Sequence, residues 1–116
     1  MRIVLVTALL FLAACTATKT AETPAQKLFA LQGEFNIALR AATAYTSKPA
    51  CSATVLVGCH KPEVKAKIVS SAERANSALK TAKSALQTAA AEGRVAAARQ
   101  ALSALVAYMA AKGVTK

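Results

Sequence analysis

Apolar residues recur at helical spacing along most of the chain, and this periodicity constrains the fold more than any other feature. Three such stripes can be traced, and each would occupy one face of a helix. They comprise Leu28, Leu31, Phe35, Ala38, Leu39 and Ala42; then Val64, Ile68, Ala72, Ala75, Leu79, Ala82 and Leu86; then Val95, Ala98, Leu102, Leu105 and Met109. Alanine, the best helix former, supplies many of these positions. The stripes therefore predict an all-α fold with a thin core.

The first helix has clear start and stop signals. The stretch Thr23-Pro24-Ala25-Gln26 offers a capping box with proline at the first helical position. Pro49 disfavours helical backbone in the residue before it. The first helix is therefore predicted to run from Pro24 to about Tyr45.

Two arrangements are open for the chain after Pro62, which begins the second helix. The apolar stripe changes phase around Gly93, as at a helix C-cap followed by a tight turn. This favours a third helix over Val95–Ala111 and a small up-down-up three-helix bundle. The alternative is one bent helix over Pro62–Lys112, forming a long helical hairpin with the first.

The N-terminal residues are typical of an export signal. Arg2 precedes an apolar run of about a dozen residues, which is too short to cross a bilayer and ends in small residues. The closing stretch Leu12-Ala13-Ala14-Cys15 resembles the lipobox of bacterial lipoproteins. The alternative is a buried N-terminal helix in a cytosolic protein, with Cys15 as an ordinary core thiol.

The lipobox resemblance implies a domain plan and a location. Residues 1–14 would be a cleaved signal peptide, and residues 15–22 a lipidated Cys15 with a flexible linker. Residues 23–112 would form the helical domain, followed by a frayed tail over 113–116. The resemblance implies a lipid-anchored protein of the bacterial cell envelope. An Asp after the lipidated cysteine resembles the inner-membrane retention signal of enteric-type bacteria, and because Thr16 stands there instead, the outer membrane is expected, with the domain facing the periplasm.

Cys51 and Cys59 remain once Cys15 is assigned to lipid. An even number of cysteines in an oxidising compartment predicts a disulfide, which would close the connector between the first two helices. The alternative is a metal site formed by both cysteines and His60, but it lacks a fourth ligand, and the two cysteines are farther apart in sequence than the usual C-x2-4-C spacing of zinc ligands. The apolar run Val55-Leu56-Val57 within this loop is expected to fold back onto the helix ends; the alternative is an exposed tip.

Phe29 and Ile37 do not fall on the first stripe, and Gly33 lies between them. A glycine within a helix costs about 1 kcal/mol relative to alanine, which indicates a place where something approaches closely. Either a second helix of the same bundle packs there, which is the favoured alternative, or a partner chain does. These three residues are the candidate interaction surface.

Composition argues against several classes of function. His60 is the one histidine, there is no Asp, and the five Glu are spread one per segment, so no catalytic triad or carboxylate pair is indicated. Neither a metal nor another cofactor is expected. The formal charge is +10, but basic residues are not interleaved with stacking aromatics as in nucleic-acid modules. Anionic lipid head groups or acidic envelope polymers are the more plausible counterparts.

The sequence thus predicts a non-catalytic, lipid-anchored helical module of the cell envelope. It would act by tethering and by contact with an envelope protein, the cell wall or another copy of itself. Murein-type lipoproteins are similar in their lipobox cysteine, heptad helices and terminal lysine, here Cys15 and Lys116, which implies linkage of Lys116 to peptidoglycan. Pro49, Pro62 and Gly93 depart from that single uninterrupted helix. The alternative is a small cationic envelope-active effector, a phage- or plasmid-borne lipoprotein that perturbs membranes.

Overall fold

The protein is described over residues 22–115 by a computed structural model. Three helices account for its secondary structure there: α1 (Pro24–Thr46), α2 (Pro62–Ala85) and α3 (Ala91–Ala111). All three pack against one another, and α2 with α3 forms the most extensive pair. The predicted all-α three-helix bundle is confirmed. The long-hairpin alternative is wrong because the chain turns between α2 and α3.

The signal peptide over 1–14, the lipidation site Cys15 and the terminal Lys116 lie outside the described residues. The expectations for them therefore stay predictions. Within residues 22–115, no helix combines the length and the hydrophobicity that crossing a bilayer would require.

The core is formed by the three predicted stripes. Leu39, Ala72 and Leu86 are partly buried against it, and every other stripe position is buried. The largest fully buried side chains are Ile68, Val95, Leu102, Leu105 and Met109. Ala75, Ala82 and Ala98 are completely buried, and their small side chains let the helices approach closely.

The start of α1 confirms the predicted capping box. The Gln26 backbone N–H donates to Thr23 Oγ1 at 3.2 Å, and the Thr23 backbone N–H donates to Gln26 Oε1 at 2.9 Å. These bonds satisfy donors that the first turn of a helix otherwise leaves unpaired. The helix ends at Thr46, one residue beyond the predicted Tyr45.

The turn between α2 and α3 differs from the prediction. Helix α3 begins at Ala91 rather than Val95, so Gly93 lies inside its first turn and is not a C-cap. Thr88 organises the connection: its hydroxyl donates to the Ala85 carbonyl at 2.7 Å and accepts from the Ala90 N–H at 3.2 Å. Because Ala91 is buried, the extra turn also contributes to the core.

Helix α3 is closed by a defined turn at Gly113 and Val114, within the stretch expected to be a frayed tail. Gly113 adopts a positive φ of 68°, which glycine reaches without steric cost. Its N–H donates to the Ala110 carbonyl at 3.1 Å, and the Val114 N–H donates to the Met109 carbonyl at 2.9 Å. This pair of bonds is a Schellman motif, and the Val114 side chain packs against the core.

Close packing at Ala98 leads to a first prediction. We expect Ala98→Leu to lower the free energy of unfolding by about 1–3 kcal/mol, because a completely buried alanine leaves no room for three more carbons. The matched control is Ala107→Leu, at an exposed position of the same helix, which should leave stability nearly unchanged. Urea unfolding followed by circular dichroism measures both. Equal effects of the two substitutions would contradict the packing described.

Candidate functional site

A disulfide between Cys51 and Cys59 closes the connector over residues 47–61, as predicted. The two sides of its neck are joined by backbone hydrogen bonds: the Cys51 N–H donates to the His60 carbonyl, and the His60 N–H donates to the Pro49 carbonyl, both at 2.9 Å. Because each sulfur is bonded to the other, neither is free as a thiolate ligand. The alternative of a metal site with His60 is therefore wrong.

The neck of the loop is fixed to the end of α1 by two side chains. His60 is buried, and its Nδ1 is hydrogen-bonded to the Lys48 carbonyl. Since a carbonyl can only accept, this bond places the proton on Nδ1. The Tyr45 hydroxyl accepts from the Lys61 N–H at 2.9 Å, and its ring meets the His60 ring edge-on at 6.3 Å. His60 thus has a structural role.

The tip of the loop is exposed. The Ser52 N–H donates to the Val55 carbonyl at 3.0 Å and the Val55 N–H donates back at 3.2 Å, which makes a tight turn with Val55 half-buried. Beyond it Leu56 is 78% exposed and Val57 is 90% exposed. The expectation that the run Val55-Leu56-Val57 folds back onto the helix ends is therefore wrong for its last two residues. The turn and the short disulfide-closed ring hold them away from the helices.

The candidate interaction surface lies on the side of α1 that faces away from the core. Phe29 is 78% exposed and Ile37 is 71% exposed, and a side chain at Gly33 would meet no atom within 4 Å. We call these three residues the α1 outer face. No helix of residues 22–115 covers it, so the favoured alternative of packing within the bundle is wrong. The other alternative, that a partner chain covers the α1 outer face, stays a prediction.

A shallow groove of about 320 Å³ runs between α1 and α2. Its walls are mostly apolar, formed by Phe35, Leu39, Ile68 and Val69 among others, with Glu73 as the one ionisable group lining it. The other polar side chains that line it are Thr43, Thr46 and Asn76. The groove follows the seam where α1 packs against α2.

The charges are unevenly distributed. In the described part of the chain, one ion pair joins the start of α1 to the start of α3, with Lys27 Nζ 3.1 Å from a Glu92 carboxylate oxygen. Both side chains are partly exposed, so the pair contributes at most about 1 kcal/mol. The opposite end of the bundle carries four exposed lysines, Lys48, Lys61, Lys65 and Lys112.

The chain matches no protein-family model, no curated protein and no solved structure. Of the site residues predicted from sequence, the structure brings Cys51 and Cys59 together. It places Phe29, Gly33 and Ile37 along one exposed helix face. Sequence reasoning missed Tyr45, whose contact with the Lys61 backbone has no sequence signature.

The disulfide loop leads to a second prediction. We expect the double substitution Cys51→Ser and Cys59→Ser to lower the free energy of unfolding by about 2.6 kcal/mol, the chain entropy of a closed loop of nine residues. The helical circular dichroism signal at low temperature should persist because neither cysteine belongs to the core cluster. Ala53→Ser, at an exposed position of the same loop, is the control. Complete loss of helix in the double variant would contradict this view.

Proposed function

We propose that this chain is a non-catalytic, lipid-anchored helical module of the bacterial cell envelope that acts by tethering and contact. Its contacts would be an envelope protein, the cell wall or a second copy of itself. The lipobox-like stretch ending at Cys15 supports the anchor. The Cys51–Cys59 disulfide supports an oxidising compartment, because such bonds are rare in the cytosol.

The observation that carries the proposal is the exposure of the α1 outer face. The bundle closes its core without Phe29 and Ile37, which are 78% and 71% exposed. Full burial of such side chains is worth about 1.5–3 kcal/mol each. A partner that covers both would recover much of this free energy, which favours association through this face.

The geometry of the α1 outer face suits a helical partner. Phe29 and Ile37 are eight positions apart, which corresponds to about 12 Å along a helix axis. Gly33 lies between them with open space above it, so another backbone can approach closely at that point. Two large side chains flanking a small one form the ridge-and-groove relief by which helices pack.

The proposed anchor would hold this face near the membrane. From Cys15 to Pro24 the chain spans at most about 32 Å even when fully extended. The first large residue of the α1 outer face follows at Phe29, in the second turn of α1. Partners embedded in or lying on the same membrane would therefore be within reach.

The alternative function is a small cationic effector that perturbs the envelope, and the net charge of +10 favours it. An effector would lyse cells or make them permeable when its expression is induced. A tethering module would leave growth and permeability unchanged at the same expression level. Dye-uptake measurements after induction separate the two.

The anchor gives a third prediction. We expect intact-mass analysis of protein purified from the membrane fraction to show loss of residues 1–14, a lipid adduct on Cys15 and an oxidised Cys51–Cys59 pair. A Cys15→Ser variant should lack both the cleavage and the adduct. Recovery of the natural chain uncut, without lipid and with three free thiols would contradict the proposal.

The contact surface gives a fourth prediction. In intact cells we expect Phe29→Asp with Ile37→Asp to abolish the cross-linked species that the natural protein forms. Because both positions are exposed, the free energy of unfolding should change by only about 0.5 kcal/mol. Ala107→Asp, at an exposed position of α3, is the matched control and should cross-link normally. Unchanged cross-linking of the double variant would remove the α1 outer face from the account.

A further inference from the structure

The disulfide loop presents an apolar tip at an end of the bundle that also carries four lysines. Leu56 and Val57 are 78% and 90% exposed, although large aliphatic side chains normally avoid water. The loop joins the end of α1 to the start of α2, and the antiparallel α3 ends at the same end of the bundle. We call this end, with its tip and the lysines Lys48, Lys61, Lys65 and Lys112, the loop end.

The tip is held in one place by covalent and hydrogen bonds. The Cys51–Cys59 disulfide closes its base, and the Ser52 hydroxyl accepts from the Val55 N–H at 3.2 Å on its first side. On its second side Gly58 takes a positive φ of 67°, which reverses the chain towards Cys59. A loop fixed in this way presents its apolar residues without ordering further backbone when it binds.

The charge at the loop end is almost entirely positive. Glu63 is the one carboxylate there among the described residues, against the four lysines. Lys48 lies over the Tyr45 ring with its Nζ 5.9 Å from the centroid, and Lys112 lies over the Tyr108 ring at 5.8 Å. All four lysines are exposed, so the ammonium groups can meet anionic groups of a ligand.

We propose that the loop end docks on an anionic phospholipid surface. Leu56 and Val57 would enter the boundary between head groups and acyl chains, and the lysines would lie among the lipid phosphates. An apolar tip within a cationic border is the composition of interfacial membrane anchors. Lysine, with its long flexible stem, reaches head groups while its ammonium stays hydrated.

The same observations disfavour a protein occupant. The apolar tip is two consecutive residues of one short loop, whereas the roughly 800 Å² per partner of a stable protein interface needs a surface that extends along several turns of helix, as on the α1 outer face. A second copy docking through the same end would bring two sets of lysines together, and like charges at an interface are unfavourable. A lipid surface needs neither a large matching area nor a unique shape.

The loop end and the proposed anchor are at opposite ends of α1. This helix has 23 residues, so the two ends are separated by about 34 Å. If Cys15 is lipidated, the chain would contact lipid at both ends and could join two apposed membrane surfaces. This consequence depends on the proposed function, whereas docking of the loop end does not.

Tryptophan fluorescence tests the docking directly because the natural chain contains no Trp. The protein is purified from membranes as the Val57→Trp variant and mixed with phosphatidylcholine vesicles, and vesicles half composed of phosphatidylglycerol are then added. We expect the emission to shift to the blue, and brominated lipids to quench it, only when the anionic vesicles are added. The matched control is Ala97→Trp, at an exposed position in the first half of α3, which should not respond.

Charge variants complete the test. Replacing Lys48, Lys61, Lys65 and Lys112 by Gln should weaken binding to anionic vesicles by about fivefold for each lysine removed. Replacing Lys80, Lys83, Arg94 and Arg99, four exposed cations nearer the other end, should weaken it much less. No blue shift with anionic vesicles, an equal shift with neutral vesicles, or an equal response of Ala97→Trp would overturn the proposal.

The anchor is judged separately in the same samples. Flotation of the protein with the neutral vesicles reports insertion of a lipidated Cys15, whatever the loop end does. Failure to float refutes the anchor, while the response of Val57→Trp to anionic vesicles still decides the docking. Clustering of neutral vesicles with anionic ones supports the joining of two membrane surfaces by one protein. If an anchored protein shows the blue shift but the vesicles do not cluster, the joining of two surfaces is overturned while the docking of the loop end stands.

Discussion

Close approach of alanine-lined helices is the constraint on which the rest of the structure depends. Ala75, Ala82 and Ala98 are completely buried where the helices meet. Alanine permits tight packing but buries little apolar area, so each helix contributes little hydrophobic stabilisation for its length. Local devices add to it: the capping box of α1, the Schellman motif after α3 and the disulfide in the α1–α2 connector. A small domain with a thin core benefits from each of them.

Because the core closes within three helices, the remaining large apolar side chains are available for contact. Val69 and Val106 are 43% and 41% exposed, and the four more exposed side chains fall in two distinct places with different chemistry. The α1 outer face is a helix surface formed by the uncharged residues Phe29, Gly33 and Ile37, and it begins near the proposed anchor. The loop end is an apolar tip with lysines, at the far end of α1. This separation would let one molecule bind a helical partner and a lipid surface at the same time.

Much of the fold could be predicted from the sequence because its signals are local. Each signal can be recognised from residues that are close together in the sequence. These signals are the periodicity of the stripes, the Thr23–Gln26 capping box and the cysteine pair. The start of α3 was predicted too late because Thr88 organises the turn through its own hydroxyl, and the N-cap residue Ala90 has no side chain that could cap the helix. Periodicity places Phe29 and Ile37 off the core stripe, but only the packing of all three helices shows that nothing in the bundle covers them.

One face of α1 is buried in the core that the three helices share, while the opposite face is open. Two phenylalanines on that helix provide an internal comparison, since Phe35 is 7% exposed and Phe29 is 78% exposed. Hydroxyl-radical footprinting of the purified native protein measures both in one sample. We expect Phe29 to be oxidised much faster than Phe35. Equal rates, or faster oxidation of Phe35, would contradict it.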